Sequence, residues 1–120
     1  MKTIMLISLG AIFGAVFRWK MGVWINGWFH SFFLGTLTIN IIGCFVIGLL
    51  LGLNLQDSTR LIVITGFLGS FTTFSAFSME VSQSLLAEKW LNAFIIFSCN
   101  SFGGIFATIC GIYIIKIFTN

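Results

Sequence analysis

The chain has 120 residues, of which 58% are hydrophobic and only 8% charged, with no proline and a formal net charge of +3. Soluble domains carry about 25% charged residues, so this composition excludes a water-soluble globular fold and makes lipid the solvent for most of the chain. Four apolar stretches reach the roughly 20 residues that a bilayer core requires of a helix, at about 3–25, 31–53, 61–86 and 91–118. The expected fold is therefore an all-α membrane protein, a single four-helix transmembrane domain over residues 1–120.

The first stretch runs past twenty residues and is followed by three more, which is unlike a short signal-peptide core. It is expected to persist as a helix. Gly10, Gly14, Arg18 and Gly22 recur at steps of four and share one face. Arg18 has two readings: it draws anions toward a vestibule, or it is a structural charge that reaches the headgroups or pairs with Glu80. The connections read as short loops at 26–30, 54–59 and 87–90, with Trp24, Trp28 and Trp90 near the ends as interfacial aromatics.

The second stretch repeats small residues at Gly35, Gly43, Gly48 and Gly52, which permit close helix approach in lipid, within one subunit or between two. Asn40 lies at its middle. A polar side chain at membrane depth is costly unless it meets a partner or a water-filled cavity. The Asn40 amide could donate to an anion or make an interhelical hydrogen bond.

The third stretch holds the densest polar cluster, Gly66-Phe67-Leu68-Gly69-Ser70-Phe71-Thr72-Thr73-Phe74-Ser75-Ala76-Phe77-Ser78-Met79-Glu80. Glycines, together with hydroxyls that compete for backbone hydrogen bonds, predict an interruption at 69–73 even without proline. Irregular backbone at this depth survives only where it is buried or lines a cavity. Carbonyls freed there would suit a cation such as Na⁺, whereas amides and hydroxyls would suit an anion. The spacing of Phe71, Phe74 and Phe77 predicts one slowly drifting helical stripe. Such a stripe packs, or it presents positive ring edges to an anion without the buried cation that would bind the anion too firmly.

The three cysteines, Cys44, Cys99 and Cys110, sit singly inside spans and read as small core residues. With four spans, both termini and the 54–59 loop share one side, which carries Lys2, Arg60 and Lys116. The opposite side carries Lys20 and Lys89, with Arg18 about one turn deeper. Orientation follows a Lys/Arg excess, so near-equal counts allow dual topology, the alternative being that Lys2 or the helix ends set one orientation. One four-helix chain also leaves little room for a solvated path, which points to a second copy.

The Gly-rich first stretch with Arg18, the Gly35-Thr36 to Asn40 to Gly43 string and above all the 66–77 stretch resemble the Fluc/CrcB family of small fluoride channels, over nearly the whole chain. The resemblance implies four helices with a broken third one, an antiparallel dual-topology homodimer in the bacterial cell membrane, and two passive fluoride pathways. It implies a pore formed by Asn40, Phe74, Ser75, Phe77 and Ser101, with Arg18 and Glu80 as vestibule or structural charges. It also implies a structural Na⁺ at the dimer interface on the backbone carbonyls of Gly69 and Thr72. The partners implied are fluoride, a second copy and the lipid bilayer, with no organic cofactor and no nucleic acid. Ala76 stands where similar proteins often carry Thr, and Phe97 where they often carry Tyr, so the polar track is thinner here.

Two rival readings come from other classes. A small multidrug exporter needs a membrane-embedded carboxylate, yet the first stretch has no acid and Glu80 lies toward one end of the third. A non-conducting assembly subunit would account for the glycines but not for hydroxyls clustered at an interruption. An enzyme is not expected, because His30 sits in a loop without metal-ligand partners and no nucleophile, base and orienting acid converge. No phosphate-binding loop is present that would support active pumping.

Overall fold

The computed structural model describes residues 1–29 and 32–120; His30 and Ser31 lie outside the described residues, and with them the loop histidine and the expected start of the second span. The described chain is helical, in the order α1 (Lys2–Phe29), α2 (Phe32–Leu51), α3 (Asp57–Arg60), a π-helical segment (Leu61–Leu68), α4 (Gly69–Phe71), α5 (Phe74–Leu86) and α6 (Trp90–Thr119). Among the described residues, four stretches are long and apolar enough to cross a membrane: Lys2–Phe29, Phe33–Leu51, Asp57–Leu86 and Trp90–Thr119.

α1 continues through Asn26 and Gly27 to Phe29, where a loop was expected. Nothing in 26–29 forbids helix, and Trp24 and Trp28, four residues apart, pack edge to face at 6.1 Å across the last turns. The π-helical segment was not foreseen either. Its β-branched run 62–65 crowds the preceding turn of a regular α-helix, and the wider i→i+5 winding is one response to such crowding.

The helices associate as two tight pairs. α1 lies along the π-helical segment and α4, and α2 lies along α6. Both contacts depend on absent side chains: a Cβ on Gly14 would collide with the Phe67 carbonyl oxygen, and one on Gly48 with that of Thr108. Backbones this close make up in lipid for the missing hydrophobic drive between helices. Thr108 reinforces the second pair, its hydroxyl being 3.1 Å from the Cys44 carbonyl and 3.0 Å from that of Gly104. The glycine faces that were ambiguous between intra- and intersubunit packing are thus largely used within the chain.

The third span changes partner halfway. Its first half rests on α1, whereas α5 rests on α6 and touches α2. The change occurs where Thr72 (φ −79°, ψ 152°) and Thr73 (φ −144°, ψ 119°) are extended, with fifteen residues of the Asp57–Leu86 span before them and thirteen after. Gly69, Ser70 and Phe71 remain helical, so the non-helical stretch is shorter than the sequence suggests and falls on the two threonines. Both prefer extended backbone, being β-branched.

Candidate functional site

The extended pair is held in place by side chains. Thr73 donates its N–H to Asn40 Oδ1 at 2.8 Å, and Asn40 Nδ2 donates back to the Thr73 carbonyl at 3.0 Å, so one amide closes on both polar groups of a single peptide residue. Asn40 Nδ2 also donates to Asn100 Oδ1 at 3.0 Å. Both hydrogens of the Asn40 amide are therefore committed. Of the two sequence readings, this conformation realises the hydrogen bond between spans.

Thr73 also caps α5. Its hydroxyl accepts from the Ala76 N–H at 3.3 Å and lies 3.1 Å from Ser75 Oγ. These bonds have a consequence for the carbonyls behind them. In a continuous helix the N–H of Thr73 would bond the Gly69 carbonyl and that of Ala76 the Thr72 carbonyl; both donors are engaged elsewhere. The two carbonyls are thereby left able to accept from something else. Gly69 is exposed, and a Cβ there would meet only the Ile64 oxygen, at 3.6 Å. Its face is open to a close approach.

Past the extended pair, the phenylalanines diverge. Phe71 is buried and stacks on Phe67 and Phe17, with centroids 5.9 and 5.5 Å away. Phe74 is 76% exposed, and it meets Phe77 edge to face at 5.5 Å and 68°. The single stripe expected for the three rings does not form, because two extended residues reset the helical phase between Phe71 and Phe74. Phe77 in turn leans on Phe97 at 6.1 Å.

A cleft of about 240 Å³ is lined by Asn40, Cys44, Thr72, Thr73, Phe74, Phe77, Asn100 and Ser101. It brings together four of the five pore residues named from sequence. Ser75, the fifth, is exposed beside it through its contact with Thr73. A second cleft, of about 340 Å³, is bordered by Arg18, Asn26, Thr36, Thr73 and Ala76 among others, so Thr73 stands between the two. The Arg18 Nε is buried there with no hydrogen-bond partner among the described residues.

Glu80 is 5% exposed, and its Oε1 accepts from the Thr36 hydroxyl at 2.6 Å, while Oε2 is buried without a partner among the described residues. It borders a third cleft, with Gln83, Ser84, Lys89 and Asn92. Thr36 thus takes the place beside Glu80 that one sequence reading gave to Arg18. Cys44, Cys99 and Cys110 are half-buried and unpaired.

Sequence reasoning placed Thr73 in the interruption without a site role and overlooked Asn100. Asn100 carries a readable signal, an amide well inside an apolar helix, beyond Asn92 at its start. Its role depends on a partner sixty residues away in sequence, which no local pattern encodes.

A family model described as "CrcB-like protein, Camphor Resistance (CrcB)" matches residues 5–112. A Haemophilus ducreyi protein named "Fluoride-specific ion channel FluC" is 50% identical over 116 residues, covering 97% of this chain and 94% of its own length. Relatives with the same name from Haemophilus influenzae strain PittGG and Pasteurella multocida are 47% and 42% identical, covering 98% and 94% of this chain and 95% and 92% of their own lengths. With the family model spanning most of the chain and such relatives matching nearly end to end, this four-span membrane protein belongs to the CrcB family.

Proposed function

We propose that this chain is a passive, fluoride-selective ion channel that lets cytoplasmic fluoride leave the cell and so limits its toxicity. The observation that carries the reading is the cleft beside Thr72 and Thr73, where the edge-to-face pair Phe74 and Phe77 stands next to Ser101. Positive ring edges and hydroxyl hydrogens replace part of an anion's hydration shell, and among the described residues no fixed cation lines that cleft to trap the ion. The fluoride-channel relatives support the choice of anion. The physiology is consistent: neutral HF crosses lipid and ionises in the more neutral cytoplasm, trapping fluoride that an open path then releases down its gradient.

In this reading Arg18 raises the local anion concentration in the first cleft, and ions pass Thr73 and Ser75 to reach Phe74, Phe77 and Ser101. Asn40 borders the route while holding the backbone that shapes it. The third span acts as a broken helix.

The functional unit is an antiparallel homodimer in the bacterial cell membrane. Support comes from the near-equal basic counts on the two faces and from Phe74, which is exposed within one chain although it lines the cleft. Two copies meeting at the open Gly69 face would bring together four carbonyl oxygens, from Gly69 and Thr72 of each. Such a hard-oxygen set fits Na⁺, which would neutralise the carbonyl dipoles and pin the two chains at their crossing.

The test is efflux from proteoliposomes loaded with fluoride or chloride and read with ion-selective electrodes. Rapid fluoride loss with chloride retained is expected; vesicles as tight to fluoride as protein-free ones would overturn the reading in favour of a non-conducting subunit.

A further inference from the structure

Asn100 lies midway along α6 and is 9% exposed. Its Nδ2 donates to the Ile96 carbonyl at 3.0 Å, and its Oδ1 accepts from Asn40 Nδ2 at 3.0 Å. A backbone carbonyl can only accept, so the Ile96 bond fixes which end of the Asn100 amide faces Asn40. Because Asn100 thus presents an oxygen, Asn40 must turn its NH2 that way. This in turn directs Asn40 Oδ1 to the Thr73 N–H and leaves the second amide hydrogen for the Thr73 carbonyl. The opposite flip of Asn40 would set oxygen against oxygen and N–H against N–H.

We propose that Asn100 is a positioning residue for the anion route: by locking the orientation of the Asn40 amide, it holds Thr73 extended and so aims Phe74 and Ser75 at the cleft. The proposal rests on the fluoride-channel reading for its functional consequence, but its structural part stands without it. Polar chains of this kind act as a unit, since each bond polarises the next and a partly satisfied chain is worse than none.

The coupling gives the test a readout that mere packing would not produce. Proteoliposome fluoride efflux is measured for Asn100→Leu, Asn40→Leu and the double variant, alongside hydrogen exchange at the Thr73 amide in 15N-labelled full-length protein in nanodiscs. Asn100→Leu is expected to slow efflux and to speed Thr73 exchange, each about tenfold, in keeping with the loss of one hydrogen bond and the unpinning of another. The double variant should flux no more slowly than Asn40→Leu, because residues acting through one another are non-additive.

Wild-type efflux in Asn100→Leu, unchanged Thr73 exchange, or losses that multiply in the double variant would each overturn the proposal. Should the leucine variant fail to assemble, Asn100→Ser removes the same acceptor without adding apolar bulk and takes the same measurements. If the wild-type protein moves no fluoride, the channel reading falls, whereas Thr73 exchange in Asn100→Leu still decides whether Asn100 orders the extended pair.

Discussion

Asn40→Leu is expected to slow fluoride efflux about a hundredfold, equivalent to about 2.7 kcal/mol at the barrier, while leaving the four spans inserted. The substitution keeps the volume and removes three hydrogen bonds, so the Thr73 N–H, the Thr73 carbonyl and Asn100 Oδ1 all lose a partner. The orphaned acceptor of buried Asn100 costs about 1–3 kcal/mol, and the part-buried Thr73 N–H and carbonyl, which border the clefts, add less. The cheapest escape is for 72–73 to rejoin the helix. That would return the Thr73 N–H to the Gly69 carbonyl, rotate Phe74 out of the cleft and withdraw an oxygen from the proposed Na⁺ set. Efflux within threefold of wild type would show that the extended pair does not need its clamp.

The second large effect concerns the rings. Phe74→Ile and Phe77→Ile should each slow fluoride flux by about ten- to a hundredfold, the rate equivalent of about 1.4 to 2.7 kcal/mol, because apolar bulk is largely kept while the positive ring edge is lost. The two variants should differ in stability. Phe74 is exposed within the chain, so its replacement leaves subunit folding almost unaffected, whereas Phe77 is buried against Phe97 and its replacement costs up to about 1.5 kcal/mol. The proposed dimer should persist in size-exclusion chromatography for both. Unchanged flux in both variants would rule out ring-edge coordination as the means of carrying the ion.

What sequence could and could not convey follows from how local each feature is. The four spans are legible because lipid imposes a minimum apolar run, whatever the tertiary arrangement. The position of the irregular backbone is legible to within a few residues, since glycines and hydroxyls cluster only at 66–78 in the third span. Its placement on Thr72 and Thr73, with Gly69 to Phe71 still helical, is not legible, because it is set by Asn40 reaching over from α2. The same cause hid the fate of Phe71. Spacing by threes implies a common face only if the helix is unbroken, and two extended residues send Phe71 to the Phe17–Phe67 stack and the other two rings to the cleft.

Polar residues show the same division. Asn40 was singled out by its depth and Glu80 as an acid toward one end of the third span. Their partners, Thr73 and Asn100 for one and Thr36 for the other, depend on the relative rotation of helices far apart in sequence. Ala76 had looked like a gap in a hydroxyl track. Its backbone N–H donates to the Thr73 hydroxyl, a capping bond that tolerates any side chain but proline and supplies no hydroxyl in place of the missing one.

The most direct test of the central claim is the zero-current potential of the purified protein in a planar bilayer, with a tenfold fluoride gradient and equal chloride on both sides. A passive fluoride-selective path predicts current that reverses at the potential set by the fluoride gradient and does not move when chloride is changed. Current that reverses near zero, or that follows chloride, would contradict the account.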